Sequence, residues 1–314
     1  MFRSEVLVRR FWYVVLITLP LGSLESQGLF EVLQRADSVE QSGAYASAMR
    51  LYEQAYGLSG FDPVGLALAA RSAARGGSRD AAFRKLDRAI DQGYLEPRLL
   101  ADSAFVPLRA DPRWQALEAK LRRKLAAVNQ PLRAELVHLA EQDQRNRQDF
   151  SALMKKISAK TPAGDAAFKL FNTADSAIQA RMRAIISEYG WPMRSKVADD
   201  GAHAAWLVVQ HMPKEYQAMM LPKLLLAVKA GEAQPGDGAL LQDRVLTRSK
   251  KSQIYGSQLS VPPTGGPPTL DPIENEACVD VRRKSVGLEP LAEYLKRFGI
   301  AYQPIGKCVP KATP

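Results

Sequence analysis

Between Gly190 and Gln258 the chain concentrates side chains that can move a proton or hold an anion. Two of its three histidines lie there, His203 and His211, among Trp206, Gln210, Asp243, Arg244, Gln253, Tyr255 and Gln258. Upstream, Asp143, Gln144 and Arg147 extend the polar set. An imidazole with an ordinary pKa of about 6.5, oriented by a carboxylate, is the commonest general-base arrangement. His211 is read as that base, Asp243 or Asp143 as its orienting carboxylate, and Arg147 or Arg244 as the group holding a negatively charged oxygen. Gln144, His203, Trp206, Gln210, Gln253, Tyr255 and Gln258 are candidates for binding: flat rings stack on sugars, and amides pair with hydroxyls or backbone. The same composition suits a non-catalytic module for a glycan or peptide, so both classes stay open. A structural reading stands beside them, with His211 as a cation at a helix C-terminus and the amides satisfying a buried hairpin. No metal is expected, because His203 and His211 are eight residues apart and not at the helical i, i+4 spacing that brings two imidazoles to one ion. No GxSxG elbow is present, and no cofactor is expected.

The elements that must position these groups read as helices. Pro131 suits the first turn of a helix whose apolar stripe is Leu132, Leu136 and Leu139. Asp143 and Arg147, four apart, can pair on one face of it; as an exposed pair that is worth a few tenths of a kcal/mol at most. Asp165 is the expected N-cap of a second long helix, Ala166–Tyr189, with Phe168, Phe171, Ile178, Met182 and Ile185 inward. Gly190 ends it and Trp191-Pro192 forces a sharp exit. A third helix begins at Asp199-Asp200-Gly201. On it His203, Trp206 and Gln210 fall within about 60° of one another, with His211 about 80° round from His203. Helices over Pro213–Ala230 and Gly236–Leu246 follow. Gln253–Val261 alternates like a strand, and Thr269–Ile273 returns after a Pro/Gly turn. Pro290–Phe298 reads as a last short helix stopped by Gly299.

The first residues look like an export signal: Arg3, Arg9 and Arg10, then the apolar run Phe11–Gly22, too short to span a bilayer comfortably. The expectation is export to the periplasm or cell envelope, with a retained anchor as the alternative and no other membrane contact. Cys278 and Cys308, the only cysteines, are then expected to form a disulfide. The formal net charge of +10 fits an acidic or glycan ligand, or simply a solvated basic face. No basic stretch interleaved with aromatics is present, which argues against nucleic acid.

Shifting the chain by 34 residues aligns Ala36 with Ala70, Gly43 with Gly77, Ala48 with Ala82, Tyr52 with Leu86, and Ala55 with Ala89. Small residues suit close helix approach, and glycines suit the turns. GAYASAMRLYEQA and GGSRDAAFRKLDRAI resemble tetratricopeptide repeats, without the early Trp and Leu-Gly of that consensus. Asp91–Arg123 looks like the closing unit that so short an array needs. The resemblance implies either a scaffold or a protein- or peptide-binding face.

The second half resembles a family of bacterial domains of unknown function. The residues that carry this are Leu139–Arg147 (LAEQDQRNR), Gly190-Trp191-Pro192, Gln210-His211, Asp243-Arg244, Gln253–Gln258 (QIYGSQ), and Arg282-Arg283 with Gly287-Leu288. Ser257 stands where the family typically has Thr, keeping the hydroxyl. The resemblance implies a domain and supplies no reaction. The organisation read from the chain is a signal or anchor at 1–26, tetratricopeptide-like helical hairpins with a capping segment at 27–127, a helical domain with a small β-hairpin at 128–300, and a Pro-rich tail at 301–314. The fold class is mainly α.

Overall fold

The computed structural model describes residues 26–59, 63–95, 99–157, 161–262, 266–303, 305, 306 and 308. The apolar N-terminal run and most of the Pro-rich tail lie outside the described residues. The fold is mainly α, with a small two-stranded antiparallel sheet near the C-terminus.

Four helices open the described chain: α1 (Ser26–Gln41), α2 (Tyr45–Ser59), α3 (Pro63–Arg75) and α4 (Arg79–Asp91). They form two hairpins that repeat in burial. Ala36 and Ala70, Ala48 and Ala82, Tyr52 and Leu86, and Ala55 and Ala89 are all buried. Gly43 and Gly77 take φ of +82° and +77° at the two turns, where a side chain would be strained. The hairpins are joined by a buried carboxylate: Glu40 accepts from Tyr52 Oη at 3.0 Å, Arg71 at 2.9 Å and Arg75 at 2.8 Å. Two 3-10 turns, Leu99–Ala101 and Ser103–Leu108, lead to α5 (Pro112–Ala126), capped by Asp111 accepting from the Arg113 N–H at 3.0 Å. Phe105, Leu108, Trp114 and Leu121 close the apolar core over α3 and α4.

The second core is built by α6 (Gln130–Met154), α7 (Pro162–Tyr189), α8 (Arg194–Val209), α9 (Lys214–Lys229) and α10 (Pro235–Arg248). Leu136, Met182, Ile185, Trp206, Val209, Leu224 and Leu241 pack there. Asn129 caps α6, accepting from the Leu132 N–H at 3.1 Å, with Pro131 in the first turn. The start of α7 differs from expectation. Thr161, not Asp165, is its cap, accepting from the Gly164 N–H at 3.1 Å, and Asp165 lies inside the first turn. The reason is Pro162, whose fixed φ and missing N–H suit the first helical position. Gly190 ends α7 at φ +75°. At Ala198 (φ 57°, ψ 179°) α8 breaks between a first turn and the helix proper, a conformation almost confined to glycine.

Gln253–Val261 forms less strand than its alternation suggests. Only β1 (Leu259–Ser260) pairs with β2 (Thr269–Leu270), and Gln253 makes an isolated bridge to Ile273. Ile254, Tyr255 and Ser257 turn their N–H groups onto Asp243 instead of into a ladder. A short helix unforeseen in the sequence, α11 (Val279–Ser285), precedes α12 (Leu291–Lys296). Cys278 and Cys308 are bonded, their Cα atoms 4.6 Å apart.

The first turn of α8 meets the N-terminal hairpins. Ala198 belongs to their core cluster, and Asn129 N–H donates to Lys196 O at 2.7 Å. Gly93, at φ +90°, lies so close to this turn that a Cβ would sit 2.7 Å from Arg194 Cδ and 3.2 Å from Asp199 Cβ. Arg133 holds Asp200 through two nitrogens at 2.8 Å.

Candidate functional site

Asp143 and Arg147 are not the exposed pair expected from their spacing. Both are buried on the inner face of α6, in line with Leu136, Leu139 and Phe150. Helix α8 ends at Val209, so Gln210 and His211 lie at its exit, and His211 meets the α6 pair. Its Nδ1 is 2.6 Å from Asp143 Oδ2. Arg147 Nη2 donates to Asp143 Oδ1 at 2.8 Å and its Nε lies 3.1 Å from both carboxylate oxygens. Gln144 Nε2 donates to Asp143 Oδ2 at 3.0 Å.

Two further residues, which sequence reasoning missed, complete the cluster from α7. Arg147 Nη2 reaches Asp175 Oδ1 at 2.6 Å, and Gln179 Nε2 donates to Asp175 Oδ2 at 2.6 Å. The sequence carried a signal for Asp175. It stands at helical spacing between Phe171 and Ile178, inside the stripe predicted to face inward.

Two contacts at His211 Nδ1 bear on its tautomer, and the shorter one favours a proton on Nδ1. Arg147 Nε is also 2.9 Å from His211 Nδ1, and the ring nitrogen cannot both accept there and face a carboxylate oxygen at 2.6 Å as a bare lone pair. With the proton on Nδ1, His211 donates to Asp143, Arg147 donates to Asp143, and the Nε2 lone pair is left for other chemistry. Burial, and then the Arg147 charge, push the imidazole down to about 4, so His211 is neutral near pH 7. Burial alone would raise Asp143, but His211 and Arg147 outweigh it and hold the carboxyl below its usual range. With His211 neutral, the charge that keeps Asp143 ionised is Arg147's. Asp175 is raised by burial in spite of Arg147.

Asp243, the other carboxylate expected to orient His211, does something else. It is fully buried and accepts from the Ile254 N–H at 2.7 Å, the Tyr255 N–H at 3.0 Å, and the Ser257 N–H and Oγ, both at 3.0 Å. It organises the QIYGSQ loop. Gln253 serves the same loop: its Nε2 donates to Gln258 O at 3.0 Å and Asp271 O at 2.8 Å, and its Oε1 accepts from the Gln258 N–H at 2.7 Å. Tyr255 is half-buried, and its backbone carbonyl accepts from Arg283 at 2.7 Å. Arg244 does reach the His211 region. Its Nη1 donates to Gln210 O at 2.9 Å and its Nε to Gln258 Oε1 at 3.2 Å.

His203 joins a different cluster. Its Nδ1 is 3.0 and 3.1 Å from the two oxygens of buried Asp237, at the start of α10, and its ring lies 5.0 Å from that of Trp206. Nearby, Asp199 accepts from Arg194 Nε at 3.2 Å and Gln234 Nε2 at 3.0 Å. Burial pushes Asp199 up to about 6 against the pull of Arg194, and raises Asp237 against the pull of His203. Asp199, Gln234 and Asp237 are further residues that sequence reasoning passed over. The helix face His203, Trp206, Gln210, expected to form one wall with Asp143–Arg147 opposite, is thus divided: His203 and His211 bind separate carboxylates. A surface hollow of about 550 Å³, lined by Asp165, Phe168, Lys169 and Ser176, lies on the outer start of α7 at neither histidine.

Residues 130–306, the whole of this arrangement, match a family of unknown function, DUF6624. The chain belongs to that family. No curated protein and no solved structure matches the chain. Both histidine clusters and the QIYGSQ loop fall inside the DUF6624 domain, and the N-terminal hairpins fall outside it. Among the described residues no group of three His, Cys, Asp or Glu side chains is placed to hold a metal, and no helix is long and apolar enough to cross a membrane.

Proposed function

We propose that the DUF6624 domain is a metal-independent acid/base enzyme, a hydrolase or lyase, with His211 as the base and Asp143 as its positioning residue. The observation that carries this reading is the 2.6 Å contact between His211 Nδ1 and Asp143 Oδ2, which presents Nε2 as a lone pair. In hydrolysis Nε2 takes a proton from water as the water oxygen bonds to the electrophilic carbon or phosphorus. The imidazolium then returns the proton to the leaving atom as its bond breaks. In a lyase the proton comes from carbon and goes to the group eliminated. Arg147 keeps Asp143 anionic, so the imidazolium is stabilised when it forms.

A second reading is a non-catalytic module for a cell-envelope glycan or peptide. What favours it over turnover is that His211 is buried, while half-buried Tyr255 and Gln258 keep surface for a ligand. Under either reading the N-terminal hairpins are a tetratricopeptide-like scaffold for a protein or peptide partner. The basic, apolar N-terminus and the Cys278–Cys308 bond support export to the periplasm or envelope.

The test is a panel of carboxylic, phosphoric and glycosidic esters together with cell-wall muropeptides, assayed on the full chain. Any turnover should be abolished by His211→Gln and lowered about 10²–10⁴-fold by Asp143→Asn. Turnover that His211→Gln leaves intact rejects the base; retained muropeptide binding without turnover selects the binding module.

A further inference from the structure

We propose that the His211 site takes a ligand bearing an anionic oxygen group, carboxylate or phosphate, and that Arg244 holds it. The substrate role of that ligand rests on His211 being the base; the binding itself does not.

Of the two arginines beside His211, Arg147 is already committed, to Asp143 and Asp175. Arg244 is not. Its hydrogen bonds go to neutral acceptors, Gln210 O and Gln258 Oε1. Among the described residues no carboxylate is within ion-pair reach of it. The adjacent Asp243, which would be the obvious counter-ion, has its oxygens filled by four donors of the 254–257 loop.

Arg244 is also held in position. Gln258 Nε2 donates to Ser257 Oγ at 3.0 Å, and Ser257 Oγ donates to Asp243. That chain fixes the Gln258 amide with its oxygen toward the guanidinium. The second anchor, Gln210 O, is the carbonyl of the residue preceding His211, and the Arg244 charge is felt at the imidazole. Gln210 also buries an amide Nε2 with no acceptor among the described residues.

Arg244 is partly buried, a guanidinium that loses part of its water without gaining a counter-ion is unfavourable, and its planar fork matches carboxylate or phosphate. Burial, then the charges of Arg248 and Arg147, push Arg244 down to about 10. Arg147 and Arg244 also repel a proton from His211. An anion on Arg244 offsets that field and makes Nε2 a stronger base, so the ligand would activate the group that acts on it.

The experiment titrates the full chain with sodium phosphate and, separately, sodium acetate, with sodium chloride holding ionic strength constant. The readouts are Tm and the His211 ring resonances. At least one anion should saturate, raising Tm and moving the His211 signals; saturation by phosphate alone or by acetate alone assigns the group. Arg244→Gln should weaken binding at least tenfold, and Arg181→Gln, an exposed arginine paired with Glu135, should bind like wild type. If Arg244→Gln does not fold, Arg244→Lys keeps the charge without the fork and should bind several-fold more weakly. Neither anion acting beyond chloride, or Arg244 variants binding as wild type, overturns the proposal. His211→Gln separates the two ideas. Saturable anion binding alongside turnover that this variant leaves intact rejects the base alone; no anion binding alongside turnover that it abolishes rejects the anion site alone.

Discussion

The two histidine–carboxylate pairs of the DUF6624 domain use the same residue types and place their charge differently. Asp143 meets His211 in a closed site with Arg147 across both carboxylate oxygens, and its carboxyl is held below the usual range. Asp237 meets His203 at a ring whose side chain is 35% exposed, and burial raises it against the pull of His203 and Arg194. Beside the histidine itself, the Arg147 guanidinium hydrogen-bonded to Asp143 makes much of the difference. It compensates Asp143 for lost water and repels a proton from His211. A buried carboxylate is therefore no guide to the protonation of its histidine until the third partner is known.

The largest break in this contrast should come from Arg147→Met. It leaves buried Asp143 and partly buried Asp175 without their cation, and should cost about 3–5 kcal/mol in urea unfolding. A loss under about 1 kcal/mol would return the pair to the status of a surface contact.

Next is the pH dependence, where the two clusters oppose each other. The unfolded chain protonates His211 near its ordinary value of 6.5, and the folded chain only at about 4. Stability is therefore lost as pH falls from 6.5 to 4, by about 3 kcal/mol. Asp199 has the reverse sign: its folded value is raised from 3.8 to about 6, so it costs stability as pH rises across that range, by a similar amount of about 3 kcal/mol. Urea unfolding of Asp199→Asn between pH 4 and 7 should expose the His211 slope, and that of His211→Gln the opposite slope. Identical profiles for the two variants would remove the distinction between the clusters.

A smaller effect belongs to the His203 side, where α8 carries its break. Ala198→Gly should stabilise the fold by about 1 kcal/mol, relief of positive φ outweighing one lost methyl; a lower Tm would show the methyl's contact with the hairpin core to dominate. Smallest is Asp237→Asn, expected within about 1 kcal/mol, since a neutral amide can still pair with His203. A cost comparable to that of Arg147→Met would mean Asp237 is held as an anion after all.

Much of the frame was legible. The 34-residue period marks the hairpins because only small residues fit where helices cross closely, and Gly43 and Gly77 take the positive φ their turns demand. Pro131 and Gly190 bound helices close to where they are found. The short β1–β2 hairpin was overread as longer strands, because alternation records side-chain direction and says nothing of the carboxylate that captures the backbone at 254–257.

The candidate site was legible as a list of residues and not as a set of partners. Sequence by itself determined the long helices and their apolar inward stripes, since local periodicity follows from 3.6 residues per turn; the burial of Asp143 with Arg147, and the part played by Asp175, were not read from it. Only the tertiary structure decided that Asp143 and not Asp243 faces His211, that Asp237 takes His203, and that Arg244 donates to the Gln210 carbonyl. Those choices depend on how α6, α7, α8 and α10 cross, which is set by the packing of their apolar faces. The polar residues carried on those helices meet whichever neighbour that packing supplies.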